Sequence, residues 1–280
     1  MGRDPNHYRH PHHSWIGRAA AALANSVTLA QLRRGVMSRL PFLQLESDVR
    51  DVVYLTWLID AAAAQASLPA GVSLWQRNGK TLFTVLTYRH GHFGPAFLGP
   101  LRRLFPSPLQ SNWRFYLAAE DGTVFFVKNV MNSFVHALGT RLFSDVLQTH
   151  LAAGFTHHGD GARFQSRIMS GRGSAPSLAC VAQLDRDRRL PDDFAGLFED
   201  WAQAVDFLAC QHKAVALDGR GDRLAESEIS LPIDLAEVLP LRIDAWQVHC
   251  SLLEHWRPSG APFAFLVPAV KFGVLSERLL

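Results

Sequence analysis

The chain has 280 residues, of which 48% are hydrophobic and 19% are charged. This composition supports one large folded core and excludes a disordered or fibrous protein. Its 28 basic and 25 acidic residues give a net charge of +3, and the basic residues form no cluster of the kind that binds nucleic acid. No run reaches the roughly 18 apolar residues that a membrane span requires, so we expect a cytoplasmic protein.

The sequence predicts neither a metal site nor a bound cofactor. Cys180, Cys210 and Cys250 are far apart and include no Cys-x-x-Cys pair, which disfavours both a disulfide framework and a zinc ribbon. His90-x-His92 supplies two potential ligands, but no third is identifiable from spacing. The chain also lacks a phosphate-binding loop and a dinucleotide fingerprint.

The first 47 residues differ in pattern from the remainder. Residues 1–13 contain four histidines among Arg, Pro and Asn and favour a mobile tail. Residues 14–47 form a helical extension, since Ser14 can cap a helix and the alanine-rich segment that follows favours one. We expect this extension to pack on a partner subunit or on the body of the protein, which occupies residues 48–280.

Short strands predominate in the body. Val52–Ile59 is a nearly continuous apolar run, and Asp60 can cap the short alanine helix that follows it. Asn78-Gly79 is a hairpin turn signal that joins residues 72–76 to residues 81–90.

A second hairpin places polar side chains between apolar ones. Asp121-Gly122 separates two apolar runs, residues 112–116 and 125–129, and this pair is a strong signal for a two-residue turn. In that register Arg114 lies opposite Asn129.

The two faces of the first strand of this hairpin carry different side chains. Strand side chains alternate between faces, so Asn112, Arg114 and Tyr116 share one face. The other face carries Phe115 and, opposite it in the predicted register, Lys128 of the second strand. Neither face has the composition of an ordinary solvent face.

The remaining pattern is mostly β. Helices are predicted at residues 133–143 and 194–208. Strands are predicted at residues 154–156, 162–169, 178–184, 214–217, 224–231, 241–248 and 263–267. Many strands, few helices and no alternation of the two indicate a mostly antiparallel α+β domain.

Eight short motifs follow one another along the body. They are Trp57, Leu68-Pro69-Ala70-Gly71, Tyr88-Arg89, Asn112-x-Arg114-x-Tyr116, the Asp121-Gly122 turn, Arg141-Leu142-Phe143, Glu228-Ile229-x-x-Pro232 and the strand at residues 263–267. In this order they resemble an uncharacterised bacterial family, domain-of-unknown-function family 2071, over nearly everything from residue 48 onward. That family looks like a branch of the acetoacetate-decarboxylase-like superfamily. The resemblance implies a strongly curved, closed antiparallel sheet system with a few peripheral helices around a small-molecule pocket, and it implies self-association.

The chain departs from the chemistry of that superfamily. Acetoacetate decarboxylases carry a Schiff-base lysine just after the helix that is predicted here to end at Phe143. The corresponding stretch, Ser144–Gln148, contains no lysine. The resemblance therefore implies a pocket for a small carboxylate or ketone, without imine chemistry at this position.

Arg114 is the strongest candidate for a binding residue. A buried arginine requires an anionic partner, and its planar fork suits a carboxylate. We expect Arg114 to bind the carboxylate of a substrate, and Asn112, Asn129 and Tyr116 to hydrogen-bond its oxygens. The alternative is an internal ion pair between Arg114 and Glu228 that only joins the sheets.

Three further residues are weaker candidates. Glu228 shares a strand face with Glu226 and could transfer protons, although paired glutamates on a strand are more often a solvated face. Arg89 lies at a strand end, where either a pocket rim or a surface salt bridge would explain it. Lys128 is the Schiff-base candidate, but a lysine stem that packs along aromatic rings explains it as well.

Three functional classes remain open. The first is a lyase-type enzyme in which Glu228 moves protons without an imine, the second is a binding protein or sensor without turnover, and the third is an inactive scaffold. An open cavity of about 300 Å³ or more at Arg114 would indicate a ligand site. A filled interior would indicate the scaffold.

Overall fold

The computed structural model describes residues 6–37, 39–119, 121–219, 221–250, 253, 256, 258 and 260–280. The helices within these ranges are α1 (Trp15–Ala24), α2 (Val27–Met37), α3 (Ala61–Gln65), α4 (Phe134–Phe143) and α5 (Trp201–Ala209), with 3-10 helices at Ala96–Leu104, Asp192–Phe194 and Leu235–Glu237. The strands are β1 (Leu45–Asp60), β2 (Lys80–Arg89), β3 (Gly94–Pro95), β4 (Leu109–Tyr116), β5 (Thr123–Met131), β6 (Thr149–Leu151), β7 (Gly154–Gly159), β8 (Arg163–Met169), β9 (Ser177–Leu184), β10 (Lys213–Leu217), β11 (Leu224–Ser230), β12 (Leu239–His249) and β13 (Phe263–Leu279). None of the described helices is long and apolar enough to cross a membrane.

Seven of the described strands close into a barrel. Their order is β1, β2, β4, β5, β10, β11 and β13, and β13 returns to β1 by an antiparallel pairing that runs from Leu45 opposite Val274 to Thr56 opposite Phe263. The β5–β10 pairing is parallel, and the other pairings around the barrel are antiparallel. The predicted closed, mostly antiparallel α+β architecture is confirmed.

A second sheet covers one outer face of the barrel. It branches from β13, which pairs with β12 at residues 264–266, and continues through β9, β8 and β7. Trp57, Trp113 and Phe115 of the barrel share a buried apolar cluster with Phe164 and Leu178 of this sheet. The outward face of β4 is therefore buried, which explains its apolar composition.

The interior of the barrel forms a separate core. Tyr54, Leu58 and Tyr116 point inward and share an apolar cluster with Val205 and Leu208 of α5. Burying these alternate residues fixes the register of the strands, because a slip of one residue would turn each side chain to the other face.

The α5 helix begins later than its sequence pattern predicts. A 3-10 helix at Asp192–Phe194 comes first, and α5 starts at Trp201 because the Asp200 side chain accepts a hydrogen bond from the Gln203 backbone N–H. The N-terminal caps predicted at Ser14 and Asp60 are confirmed, since both side chains accept hydrogen bonds from the first turns of α1 and α3.

The second N-terminal helix, α2, is anchored to the barrel by ion pairs. Arg33 and Arg34 of α2 both bind the Asp145 carboxylate, and Arg34 also reaches Asp218 at 2.6 Å. The side chain of Asp218 is fully buried. Asp145 belongs to the stretch that directly follows α4.

The N-terminal tail is packed where the structure describes it, in contrast to the mobile tail that its composition favours. Residues 1–5 lie outside the described residues. Tyr8 is 3% exposed and stacks on His150 with 6.4 Å between the ring centroids. Asn6 donates a hydrogen bond to the Leu217 carbonyl at 2.7 Å.

Candidate small-molecule site

The hairpin that carries Arg114 differs from the predicted two-residue turn. The last antiparallel contact before the turn is the hydrogen bond from Leu117 N–H to the Thr123 carbonyl, at 2.9 Å. The connection therefore spans residues 118–122, and Gly122 adopts a positive φ of 61° in it. Because the turn is longer than predicted, the two strands pair in a different register, with Phe115 opposite Phe125.

A bulge changes the register again farther along the hairpin. Trp113 pairs with Lys128 and Arg114 pairs with Phe126, so Val127 is an extra residue on β5. Asn129 consequently lies opposite Asn112 and not opposite Arg114. Lys128 therefore lies opposite Trp113 and not opposite Phe115, although it is on the predicted face of the hairpin, away from Arg114.

A small cavity lies in the barrel interior beside Arg114. It has an internal volume of about 60 Å³ open to water-sized groups. The interior is therefore not filled, but the volume is well below the roughly 300 Å³ expected of a ligand site. Its wall is mainly apolar and includes Val49, Val52, Leu86, Phe93, Phe126, Val146, Leu147, Ile229, Val267, Val270, Phe272 and Val274. The polar side chains of the wall come from Tyr54, Tyr88, Gln110, Asn112, Arg114, Ser227 and Glu277.

Arg114 is a buried cation without an anionic partner in the described part of the chain. The residue is 3% exposed, and its Nη2 donates to the Leu208 carbonyl at 2.8 Å. The guanidinium carbon lies 5.6 Å from the ring centre of Tyr54 and 5.4 Å from that of Tyr116. Its Nε–H is buried and has no acceptor.

The tyrosines around Arg114 do not neutralise its charge. Burial raises the pKa of Tyr54 to about 12, and burial also raises the pKa of Tyr88. Both hydroxyls are therefore protonated at neutral pH. Cation–π contacts stabilise the guanidinium, but they leave its net positive charge in the cavity wall.

Asn112 also has an unused polar atom. Its Nδ2 donates to Asn129 Oδ1 at 2.7 Å, and its Oδ1 is buried without a donor. Buried polar groups are nearly always paired, so an acceptor in this position is unusual. Two neighbouring inward residues of β4 thus present one free donor and one free acceptor.

Three predicted binding residues, Asn129, Tyr116 and Arg89, do not line the cavity. Asn129 is buried beside Asn112 and accepts its hydrogen bond. The Tyr116 hydroxyl lies 2.9 Å from Thr84 Oγ1 and 3.0 Å from the Leu208 carbonyl. Arg89 is half-buried and donates to the His157 carbonyl at 3.2 Å. Arg89 therefore joins β2 to the second sheet.

Glu228 lies outside the barrel. Ala225, Ser227 and Ile229 of β11 are buried, so the intervening Glu228 is exposed, and its carboxylate accepts a hydrogen bond from Ser276 at 3.1 Å. The alternative of an internal Arg114–Glu228 pair is wrong for the same reason.

Glu277 is the acidic residue of the cavity wall among the described residues, and the sequence pattern did not indicate it. Its carboxylate accepts hydrogen bonds from Ser144 Oγ and the Asp145 N–H, both at 2.6 Å. Burial raises the pKa of Glu277. A bulge at Leu275, where Ile229 pairs with Val274 and Glu228 pairs with Ser276, turns Glu277 inward.

Lysine is absent from the described wall of the cavity. Lys128 lies on the opposite face of the hairpin, with its ammonium 3.2 Å from His150 Nε2. The stretch after α4 contributes Val146 and Leu147 to the wall. Across the described ranges, no three His, Cys, Asp or Glu side chains cluster to hold a metal ion.

The model of domain-of-unknown-function family 2071, an uncharacterized conserved protein, matches residues 46–202, which is more than half of the chain. No curated protein matches it.

Several solved structures share the fold. The enduracididine biosynthesis enzyme MppR complexed with pyruvate superposes with a TM-score of 0.57 and 12% identity, covering 86% of this chain and 91% of that one. Acetoacetate decarboxylase from Legionella pneumophila gives a TM-score of 0.53 and 10% identity, covering 84% and 86%. An acetoacetate decarboxylase-like enzyme from Sphingomonas wittichii RW1 gives 0.54 and 11%, covering 86% and 94%. At these identities the likeness extends to the fold alone.

Proposed function

Because the chain belongs to domain-of-unknown-function family 2071 and has an acetoacetate-decarboxylase-like fold, we propose that its barrel binds a small organic acid whose carboxylate pairs with Arg114. The proposal rests on the buried guanidinium in the cavity wall, which has no anionic partner among the described residues and whose Nε–H has no acceptor. An isolated charge is costly to bury. A ligand carboxylate would supply both the missing charge and the missing acceptor.

The size of the cavity limits the ligand. A volume of about 60 Å³ is about four to six times the space that one ordered water needs. The ligand is therefore an acid of few non-hydrogen atoms, with a short apolar chain against Phe126 and Val267. Two of the neighbouring structures are linked to acids of this size, since one is complexed with pyruvate and another is named for acetoacetate.

A lyase-type proton transfer is the second candidate function, and Glu277 is the residue that favours it. A carboxyl group with a raised pKa in a cavity wall is suited to general acid–base catalysis. Glu277 replaces Glu228 in this role, and the reaction would use no lysine imine. A binding protein or sensor without turnover requires only Arg114 and the apolar wall.

Titration of the wild-type protein with short acids and their neutral amides tests the binding proposal. Isothermal titration calorimetry would compare C2–C5 carboxylates with the corresponding primary amides. Hydrogen bonds to charged groups contribute about 1.5–3 kcal/mol, so we expect each acid that binds to do so about 10- to 100-fold more tightly than its amide. Equal affinity for acid and amide would contradict the role of Arg114.

Variants locate the acid within the protein. Arg114→Met should remove binding while the fold survives, as judged by circular dichroism, and Arg114→Lys should retain part of it. Arg141→Met is the matched control, because Arg141 is 5% exposed and bonds to the Asn6 carbonyl at 2.7 Å, outside the cavity. Acid binding that persists in Arg114→Met would refute the proposal.

A further inference from the structure

A chain of hydrogen bonds leads from β1 to the cavity and has a defined direction. His90 Nδ1 lies 2.8 Å from Ser47 Oγ, and Nε2 lies 2.7 Å from Gln110 Oε1. Ser47 Oγ also donates to the Gly91 carbonyl, at 3.2 Å. Gln110 Oε1 can only accept a hydrogen bond, so its 2.7 Å contact with His90 Nε2 places the His90 proton on Nε2. His90 therefore donates to Gln110, and its Nδ1 accepts from Ser47 at 2.8 Å.

The same direction continues through three amides. Because Gln110 Oε1 accepts from His90, its Nε2 faces Asn129 Oδ1, at 3.5 Å. Asn112 Nδ2 donates to the same oxygen at 2.7 Å. If the Asn129 amide were rotated, its Nδ2 would face Gln110 Nε2, and these two donors would lack an acceptor between them. The chain consequently holds Asn112 with its acceptor, Oδ1, as the unpaired atom.

The two unpaired atoms differ in what they require of a ligand. Arg114 Nε needs an acceptor and Asn112 Oδ1 needs a donor. The residues are two apart on β4 and both line the cavity, so their backbones are about 6.6 Å apart at 3.3 Å per residue. One small molecule can contact both side chains.

We infer that the cavity selects a short hydroxy acid, with its carboxylate on Arg114 and its hydroxyl donating to Asn112 Oδ1, over the oxo acid of the same carbon skeleton. This inference rests on the proposed function and adds a ligand class to it. A ketone oxygen offers lone pairs alone, which would face the lone pairs of Oδ1 and leave that acceptor unpaired. Sites built to bond a hydroxyl discriminate strongly against analogues that lack it.

Paired titrations of the wild-type protein test the inference. The pairs are lactate with pyruvate and 3-hydroxybutyrate with acetoacetate, which cover hydroxyls at the second and third carbons. Leaving a buried acceptor unpaired corresponds to about a 5- to 150-fold loss, so we expect the hydroxy acid to bind at least about fivefold more tightly in one or both pairs. Oxo acids that bind equally well or better in both pairs would overturn this inference and leave the proposed function intact. If none of the four acids binds, both fail.

Variants of the chain assign the selectivity to Asn112. Asn112→Leu should bring the affinity ratio of the preferred pair close to one while Arg114 still holds the carboxylate. Gln110→Ala should also reduce the ratio, because it frees the amides to rotate. Ser166→Ala is the control, since Ser166 is buried and bonds His157 in the second sheet, and it should keep the wild-type ratio. A wild-type ratio in Asn112→Leu would overturn the assignment.

Discussion

Protonation of His90 is predicted to destabilise the protein below neutral pH. The ring is 1% exposed, and burial lowers its pKa from 6.5 to about 4 even though the hydrogen bond to Gln110 opposes this effect. Between these two values the unfolded chain binds a proton that the folded protein excludes. The free energy of unfolding must therefore fall as the pH is lowered from 6.5 to about 4.

The expected magnitude follows from the two pKa values. Their difference, from 6.5 to about 4, corresponds to about 3 kcal/mol at 1.36 kcal/mol per pKa unit. This is a large part of the 5–15 kcal/mol that typically stabilises a folded domain. The loss would start near pH 6.5 and be nearly complete at pH 4.

Urea unfolding at pH 7, 5.5 and 4 measures this loss in the wild type and in His90→Gln. Glutamine does not titrate, and it can still accept from Ser47 and donate to Gln110. Burial also lowers the pKa values of His136, His150 and His157, but these residues titrate in both proteins. The wild type should lose about 3 kcal/mol more than the variant between pH 7 and pH 4. A difference that does not change with pH, or an NMR titration of the His90 ring near pH 6.5, would refute the reasoning.

Three other predictions concern charged groups. Borohydride reduction in the presence of pyruvate should leave Lys128 unmodified by mass spectrometry, because its ammonium lies outside the cavity; an adduct on Lys128 would contradict its placement. Asp145→Asn should lower the free energy of unfolding by about 3 kcal/mol, since Arg33 loses its anion and Arg34 keeps Asp218 alone; an unchanged urea midpoint would show that the anchor contributes little. Burial raises the pKa of Glu277 in the folded protein, so this residue stabilises the fold at pH values below its pKa in the unfolded chain, and the stabilisation is lost as the pH rises. Glu277→Gln should therefore gain stability relative to the wild type from pH 4 to pH 7. If the free energies of unfolding of the two proteins change in parallel with pH, the raised pKa is contradicted.

The sequence predicts which side chains of the β4–β5 hairpin share a face, but it does not predict the register in which the two strands pair. Alternation alone placed Arg114 and Asn112 together on one face of β4, because a strand has a fixed period of two. The pairing across the hairpin depends on the length of the turn and on the extra residue Val127. The sequence indicates neither the turn length nor the bulge, since the Asp121-Gly122 pair also fits a two-residue turn.

The acidic residue of the cavity could not be identified from the sequence for a similar reason. The apolar pattern of the last strand indicated an end at Val267, but β13 continues to Leu279. The bulge at Leu275 then reverses the facing of the later residues of β13 and brings Glu277 inward. Bulges depend on how neighbouring strands coil around the barrel, and this information is not local.

The attachment of α2 to the barrel has a practical consequence for defining the folding unit. The family match starts at residue 46, after both arginines that bind Asp145. A protein shortened to that boundary would retain the barrel strands except for Leu45, but Asp145 would lose both cations beside Val146 and Leu147 of the cavity wall. The region matched by the family is thus smaller than the unit that supports the cavity beside Arg114, and expression of this domain should include the chain from Asn6 onward.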